Sequence, residues 1–463
     1  MRSKISGEHS ELRATVALAV PVVLVQLGFM AMGVVDTLMV GRLSARALAA
    51  VAIGNLYFFN VTIFASGTLM ALDPIIAQAV GAGDDETVAR SAQRGLLLSL
   101  GLSVLTIVPL IPAPQVLTAL RQPAEIIPDA GQYLRISIAG VAPYLAFVVL
   151  RQSLQAMHHV APIVWTVVAA NLANAGFNWV FVYGHLGSPA MGVAGSAVAT
   201  AIGRWLMLLF LLAGAWRELR PHLVPIRRGI ANWAPLSTML RIGMPIGGQQ
   251  ALEAGAFGAI GLLMGLIGTV AVAAHQIAIT LAAFTFMVPL GVGSAAAVRV
   301  GHAIGAGDEP RARAAIRAAY LCGVGFMTLT AIAFLTLPHL LAAAFTGDAR
   351  VIALASTLIP IAGFFQVFDG GQAVGAGVLR GAGDTTAPLL VMLAAYWLLG
   401  VPVSAYLGFR TSMGPAGLWW GFVCSLAAVA LFLFVRIRVV FGRAVERVSV
   451  EVQPRTTTRS DQI

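Results

Sequence analysis

The sequence predicts an all-α integral membrane protein of about twelve transmembrane helices, built as two six-helix lobes related by a pseudo-twofold axis. Three observations lead there. Of 463 residues, 59% are hydrophobic and only 10% are charged, where a soluble domain carries about 25% charged residues. Apolar runs of about 20 residues, each long enough to cross a bilayer, recur along the whole chain. Short motifs also return in the same order at a nearly constant spacing, the mark of an internal repeat.

The apolar runs lie at roughly 12–38, 48–72, 92–112, 129–150, 161–184, 192–215, 237–266, 272–297, 313–337, 350–378, 386–408 and 415–438. The net charge of +10 reflects how these runs are oriented. With the N-terminus inside, 22 of the 29 Lys and Arg residues fall on the inner side. Arg42, Arg46, Arg121, Arg135, Arg350 and Arg410 fall at or near the outer side, and Arg204 stands partway into the sixth run. That asymmetry is the positive-inside rule and puts both termini in the cytoplasm, with the chain spanning the cell's inner membrane many times. The expected partner of the basic face is anionic lipid rather than nucleic acid.

No cleavable signal peptide is expected, because the first run is longer than a 7–15-residue h-region. Cys322 and Cys424 lie inside apolar runs and suggest neither a disulfide nor a thiolate metal site. Without a P-loop, a nucleophile elbow or a Cys/His cluster, the chain reads as a non-enzyme. Any uphill transport must then draw on an ion gradient or a partner, and no cofactor is expected beyond a coupling Na⁺ or H⁺.

The repeat is explicit. "AVGAGDDE" at 79–86 returns as "AIGAGDEP" at 303–310, and at the same separation Pro21, Gln26 and Ala49 match Pro245, Gln250 and Ala273. "MGVAG" at 191–195 matches "MGPAG" at 413–417. Six spans per copy is an even number, so both copies enter the membrane the same way, and the pseudo-twofold axis lies along the membrane normal. The expected organisation is an N-lobe at 1–215, a basic, Pro-containing cytoplasmic linker at 216–236, a C-lobe at 237–440 and a cytoplasmic tail at 441–463. A monomer is expected.

Three acids interrupt the apolar runs: Asp36, Glu253 and Asp369. An acid at mid-bilayer costs roughly 3 kcal/mol on insertion scales and therefore faces protein or water. Glu253 follows Gln249 and Gln250, and Asp369 lies between Gln366 and Gln372, so both acids sit in polar helix stripes. At about 1.5 Å per residue, both fall near mid-depth and could share one site. Asp36 lies in the outer part of helix 1, at a depth that Asn174 and Asn178 reach from helix 5, with Asn171 on their face. Carboxylates with amide oxygens suit a hard cation such as Na⁺, and a desolvated carboxylate can instead carry a proton. His275 and Arg204 read as structural.

These residues sit within motifs that resemble the multidrug and toxic compound extrusion (MATE) family, and its NorM branch in particular. The motifs are "VDTLMVGRL" in helix 1, "NWVFVYG" at 178–184, "VAAHQIAI" at 272–279, "VRVGHAIG" at 298–305 and "LRGAGDTTAP" at 379–388. The resemblance implies an antiporter that expels amphipathic, often cationic drugs against inward Na⁺ or H⁺ flow. It implies a cation or proton site at Asp36 with Asn174 and Asn178, and a cation site at Glu253 and Asp369, with Gln249, Gln250, Phe365 and Gln366 lining a site. In the NorM pattern a tyrosine can stand four residues before the helix-10 acid; here it is Phe365, which removes a hydroxyl from any Na⁺ shell and leaves an aromatic face. The alternatives are a lipid-linked oligosaccharide flippase of the same superfamily, or a membrane receptor without transport activity.

The topology carries the first prediction. Reporter fusions at Gln462 and within 222–230 both read cytoplasmic; a periplasmic signal at either place overturns the orientation.

Overall fold

The computed structural model describes residues 2–449, with side chains from Glu11 onward. Among the described residues there is no strand, and twelve helical spans are long and apolar enough to cross a membrane. They are α1 (Glu11–Gly41), α2 (Ala45–Gly81), α3 (Asp85–Leu110), α4 (Ile127–Ala156), α5 (Ala161–Tyr183) and α6 (Val193–Gly214) in the N-lobe. The C-lobe holds α7 (Trp233–Ile267), α8 (Thr269–Gly305), α9 (Glu309–Thr336), α10 (Ala349–Gly381), α11 (Thr386–Arg410) and α12 (Pro415–Val440).

Two spans run well past their apolar cores. α2 continues through a turn at Met70 and Ala71 to Gly81, and α8 continues to Gly305. Their last turns carry Asp73, Gln78, Arg299 and His302, all buried. The reason is that these turns pack on the opposite lobe rather than on lipid, so helix outlasts apolarity. The linker region holds a short helix, Trp216–Leu223, pinned on the N-lobe by the buried Leu219. Gln93 of α3 donates to the carbonyls of His222 (2.9 Å) and Pro225 (3.0 Å) and accepts the Arg227 N–H (2.8 Å). α7 begins at Trp233, inside the stretch read from sequence as linker.

The repeated motif now has a physical explanation. In each copy, Gly83 (φ +69°) and Gly307 (φ +68°) take the left-handed conformation that ends a helix. Asp84 and Asp308 then cap the next helix, accepting from the N–H of Thr87 and of Arg311. The first glycine of each motif makes the lobe contact. A Cβ on Gly81 would lie 2.1 Å from the His302 carbonyl oxygen, and one on Gly305 would lie 2.0 Å from that of Gln78. The repeat that carries Gly81 onto Gly305 also carries Gln78 onto His302, so the contact is its own twofold image. A second pair obeys the same rule: Gly67 abuts Gly247, and Gly291 abuts Val23.

Hydrogen bonds follow the same near-twofold pattern. Gln78 Nε2 donates to the Gly381 carbonyl at the end of α10 (2.9 Å), while the His302 ring bonds the Ala156 carbonyl at the end of α4 (2.7 Å). His158 meets His302 ring to ring, 2.9 Å between nitrogens. Burial pushes the His158 imidazole down to about 4, with the charges of nearby Arg299 and Arg311 acting in the same direction, so it is neutral at pH 7. Glu11 at the start of α1 pairs with Arg299 and with Arg311 (3.2 Å).

Beyond α12 the chain crosses back to the N-lobe. Arg447 pairs with Asp84 at 2.8 Å, and the Val448 N–H donates to Gln78 Oε1 at 2.7 Å. Burial raises the Asp84 carboxyl, but hydrogen bonds from Arg447 and Thr87 outweigh it and hold it below its usual range. Residues 450–463 of the expected tail, with Arg455 and Arg459, lie outside the described residues. Every cross-lobe hydrogen bond and ion pair among the described residues lies toward the Gly81 and Gly305 ends. None involves the Gly41 end of α1, the Ala45 end of α2, the Ile267 end of α7 or the Thr269 end of α8. The polar contacts across the seam gather at one end of it.

Because the glycine contact is reciprocal, Gly81→Ala and Gly305→Ala should destabilise alike, each by about 1–3 kcal/mol as for overpacking elsewhere. The measurement is the unfolding temperature of each purified variant. Loss in only one of them contradicts the reciprocal packing.

Candidate functional site

α1, α5 and α6 bring the N-lobe site together. Asp36 is 2% exposed. Its Oδ1 accepts from Asn178 Nδ2 at 2.7 Å and its Oδ2 from Thr200 Oγ1 at 3.0 Å. Asn178 Nδ2 also reaches Asn174 Oδ1 at 3.1 Å, so the four side chains form one buried network. Asn178 Oδ1 and Asn174 Nδ2 remain without a partner. Asn171 is turned elsewhere: it donates to the Gly28 carbonyl at 3.1 Å and acts as glue between α5 and α1. Spacing places it on the same face, but the Gly28 carbonyl, left open by the missing side chain, captures it.

Two further groups complete this pocket. Thr200 does not stand out in the sequence; its only signal is a hydroxyl on an otherwise apolar stretch of α6. Arg204, one turn further on, reads as structural from sequence but belongs here. Its guanidinium stacks 3.7 Å from the centroid of the Phe58 ring, its Nη1 is buried without a partner, and it is close enough to Asp36 for their charges to interact. Tyr133 closes the wall, donating to Asn55 Oδ1 at 2.7 Å.

The C-lobe site joins α7, α10 and α11. Glu253 Oε1 accepts from Gln372 Nε2 at 3.1 Å. Asp369 is 3% exposed, its Oδ1 has no partner, and it lies within charge range of Glu253. The spacing argument therefore places these two acids together as the structure does. It misplaces both amides of α7. Gln249 Nε2 donates to the Thr385 carbonyl at 2.7 Å, and Gln250 Nε2 points across the seam to Met70 Sδ at 3.0 Å. Spacing sets their face of the helix, but neighbours on α2 and after α10 compete for their donors. Gln366 is fully buried and accepts from Thr330 of α9.

Phe365 is 1% exposed, stacked on Phe422 and edge-on to Phe257 and Trp419, with centroids 5.8 Å apart in each case. Another buried hydroxyl lies near the two acids. Leu393–Gly400 of α11 is a π-helical segment that carries Tyr396 inward. Tyr396 is fully buried with its hydroxyl unpaired, within charge range of both Glu253 and Asp369. Nothing in the sequence pattern singles it out, since a one-residue widening of a helix leaves no compositional trace.

The two sites differ in what they offer a cation. Asp369 Oδ1, Gln372 Oε1 and the Tyr396 hydroxyl are oxygens without partners gathered around two carboxylates, a donor set that fits a hard cation such as Na⁺. Both oxygens of Asp36 are already bonded to donors. Among the described residues, no group of three or more His, Cys, Asp or Glu is placed to hold a metal ion.

A further buried acid is not apparent from sequence. Asp73 lies one residue beyond the apolar run of α2. It is fully buried and 3.4 Å from Arg380 Nε of α10, across the seam.

Comparison with known proteins agrees with this architecture. The chain is 40% identical to "Probable multidrug resistance protein NorM" of Mesorhizobium japonicum, over 92% of this chain and 94% of that one. It is 36% identical to "Multidrug resistance protein MdtK" of Edwardsiella ictaluri, over 92% and 95% respectively. Among solved structures, the outward-facing conformation of a multidrug resistance MATE family transporter superposes with a TM-score of 0.85 at 20% identity, covering 93% of this chain and 96% of that one. The eukaryotic MATE transporter AtDTX14 gives 0.84 at 22% identity, over 93% and 96%. The sequence model of the family described as MatE matches residues 21–180 and 245–406, one block in each lobe, starting at the repeat-related Pro21 and Pro245. This multi-pass membrane protein belongs to the MatE family.

Proposed function

We infer that this chain is a cation-coupled multidrug antiporter of the bacterial inner membrane, exporting amphipathic and often cationic organic compounds by alternating access. The observation that carries the reading is a lobe seam whose polar contacts gather at one end, with an acid network inside each lobe. The names of the NorM and MdtK relatives support multidrug export. The arginine asymmetry supports a cytoplasmic closed end.

Coupling requires that cation and drug favour different states of one protein. Asp36 is built for this. An ionised carboxylate accepts from both Asn178 and Thr200; a protonated one also donates, so the side chains around it must rearrange to offer that proton an acceptor. Proton loading is thereby tied to how α1 packs on α5 and α6. Pro21, earlier in α1, removes a backbone hydrogen bond and offers a place to bend. In the C-lobe, Glu253 and Asp369 would hold Na⁺ with Gln372 and Tyr396. The bound ion supplies a positive charge that relieves the repulsion between the two acids.

Efflux of a fluorescent organic cation from proteoliposomes, under an imposed H⁺ or Na⁺ gradient, tests the reading. Asp36→Asn keeps size and removes proton exchange; its gradient-driven efflux should drop to that of protein-free vesicles, with folding retained. Full efflux by this variant removes Asp36 from the coupling mechanism. Glu253→Gln and Asp369→Asn should each slow Na⁺-driven efflux about tenfold, a typical coupling between two sites. Wild-type rates in both would make the C-lobe pair structural.

A further inference from the structure

Asp73 and Arg380 belong to neither acid network, and they stand on opposite sides of the surface that alternating access must part. Asp73 is fully buried and both of its oxygens lack a hydrogen bond. Arg380 Nε lies 3.4 Å away, and Arg380 Nη1 rests on Met70 Sδ at 3.6 Å. A third charge completes the group. Arg151 of α4, in the same lobe as Asp73, reaches Gln26 Oε1 at 3.4 Å and is close enough to both Asp73 and Arg380 to feel their charge.

This group has no twofold image. The repeat that carries Gly81 onto Gly305 carries Asp73 onto Ala297, and the N-lobe counterpart of Arg380 is the uncharged Gln155, since the turn closed by the Gln155 carbonyl and His158 N–H repeats as that of Arg380 and Gly383. The glycine contacts and the Gln78 and His302 bonds come in related pairs because they pack duplicated helices. An ion pair present on one side of the axis alone is not needed for that packing.

We propose that Asp73 and Arg380 form the electrostatic latch of the closed side, breaking in each transport turnover, with Arg151 deciding what happens when the latch fails. This rests on the alternating-access reading above. The pair is suited to reversible closure. Its attraction acts in a desolvated seam, yet it lacks hydrogen-bond geometry, and opening returns water to both charges.

The charges set an order of effects. With Asp73 removed, Arg151 and Arg380 face each other across the seam with no anion between them and drive the lobes apart. With Arg380 removed, Asp73 and Arg151 remain a neutral pair within one lobe, and closure only weakens. Losing the acid must therefore open the seam more than losing the base.

The test is a cysteine placed in the seam. Thr68 is 3% exposed and packs against Gly243 and Gly247. In full-length protein carrying Thr68→Cys, Cys322→Ser and Cys424→Ser, the readout is the rate of maleimide labelling. Asp73→Asn should raise it about fivefold or more, the lower range of conformational couplings. Arg380→Gln should raise it less, and Arg151→Gln added to Asp73→Asn should return it to the Arg380→Gln level. Labelling of Arg380→Gln equal to or above Asp73→Asn, or of Asp73→Asn at the unmodified rate, overturns the latch. If Asp73→Asn does not yield folded protein, Arg380→Gln alone decides: wild-type labelling overturns the proposal. Labelling needs neither drug nor gradient, so failure of the antiporter reading would show in efflux and leave this readout intact.

Discussion

The closed side of the molecule depends on how near α2 and α8 can come to each other. Gly81 and Gly305 allow backbone to meet backbone at the twofold axis, where any side chain would collide with a carbonyl. That approach lets Gln78 and His302 reach helix ends in the opposite lobe, and it buries Asp73 deep enough for a single arginine to matter. Without it, the last turns of both helices would present charged and polar groups to an apolar environment at considerable cost. The same contact explains why the two copies kept the motif: one glycine for proximity, one for a left-handed helix end, one aspartate for the next cap.

The acids obey a different constraint. In hydrocarbon a charge must face protein or water, and for Asp36, Glu253 and Asp369 each lobe solves this inside its own bundle rather than at the seam. Asp36 is surrounded by donors from two other helices, while Glu253 and Asp369 are two carboxylates gathered with oxygens that lack partners. The N-lobe network is thus satisfied as an anion, and the C-lobe network is left short of positive charge. Sites held within the lobes can sense a cation without blocking the cleft between them, which suits a cycle in which drug and ion occupy the protein at different times.

The reading of single residues succeeds where depth and helix face decide the contact. Asp36 with Asn174 and Asn178, and Glu253 beside Asp369, follow from rise per residue and from the length of the spans. It fails where a donor has competitors from other helices: Gln250 crosses to Met70, and Gln249 turns to the Thr385 carbonyl. Thr200 and Tyr396 are invisible for a related reason. A hydroxyl on an apolar helix is common, and only the helix opposite decides whether it meets an acid. Asp73 escapes notice because it stands past the end of an apolar run, where an acid normally meets water.

What the sequence determined by itself was the number of spans, their common orientation in two copies, the polar helix stripes and the depth of three acids. All of these follow from periodicity, charge asymmetry and rise per residue, which are properties of a chain in a bilayer. The tertiary structure alone decided at which end of the seam the polar contacts gather, that Arg204 lies beside the Asp36 pocket and that Tyr396 brings a buried hydroxyl within charge range of Glu253 and Asp369. It alone set Asp73 against Arg380. Those outcomes depend on the distance between helices far apart in sequence, and a sequence pattern records which face a residue occupies but not what stands opposite it.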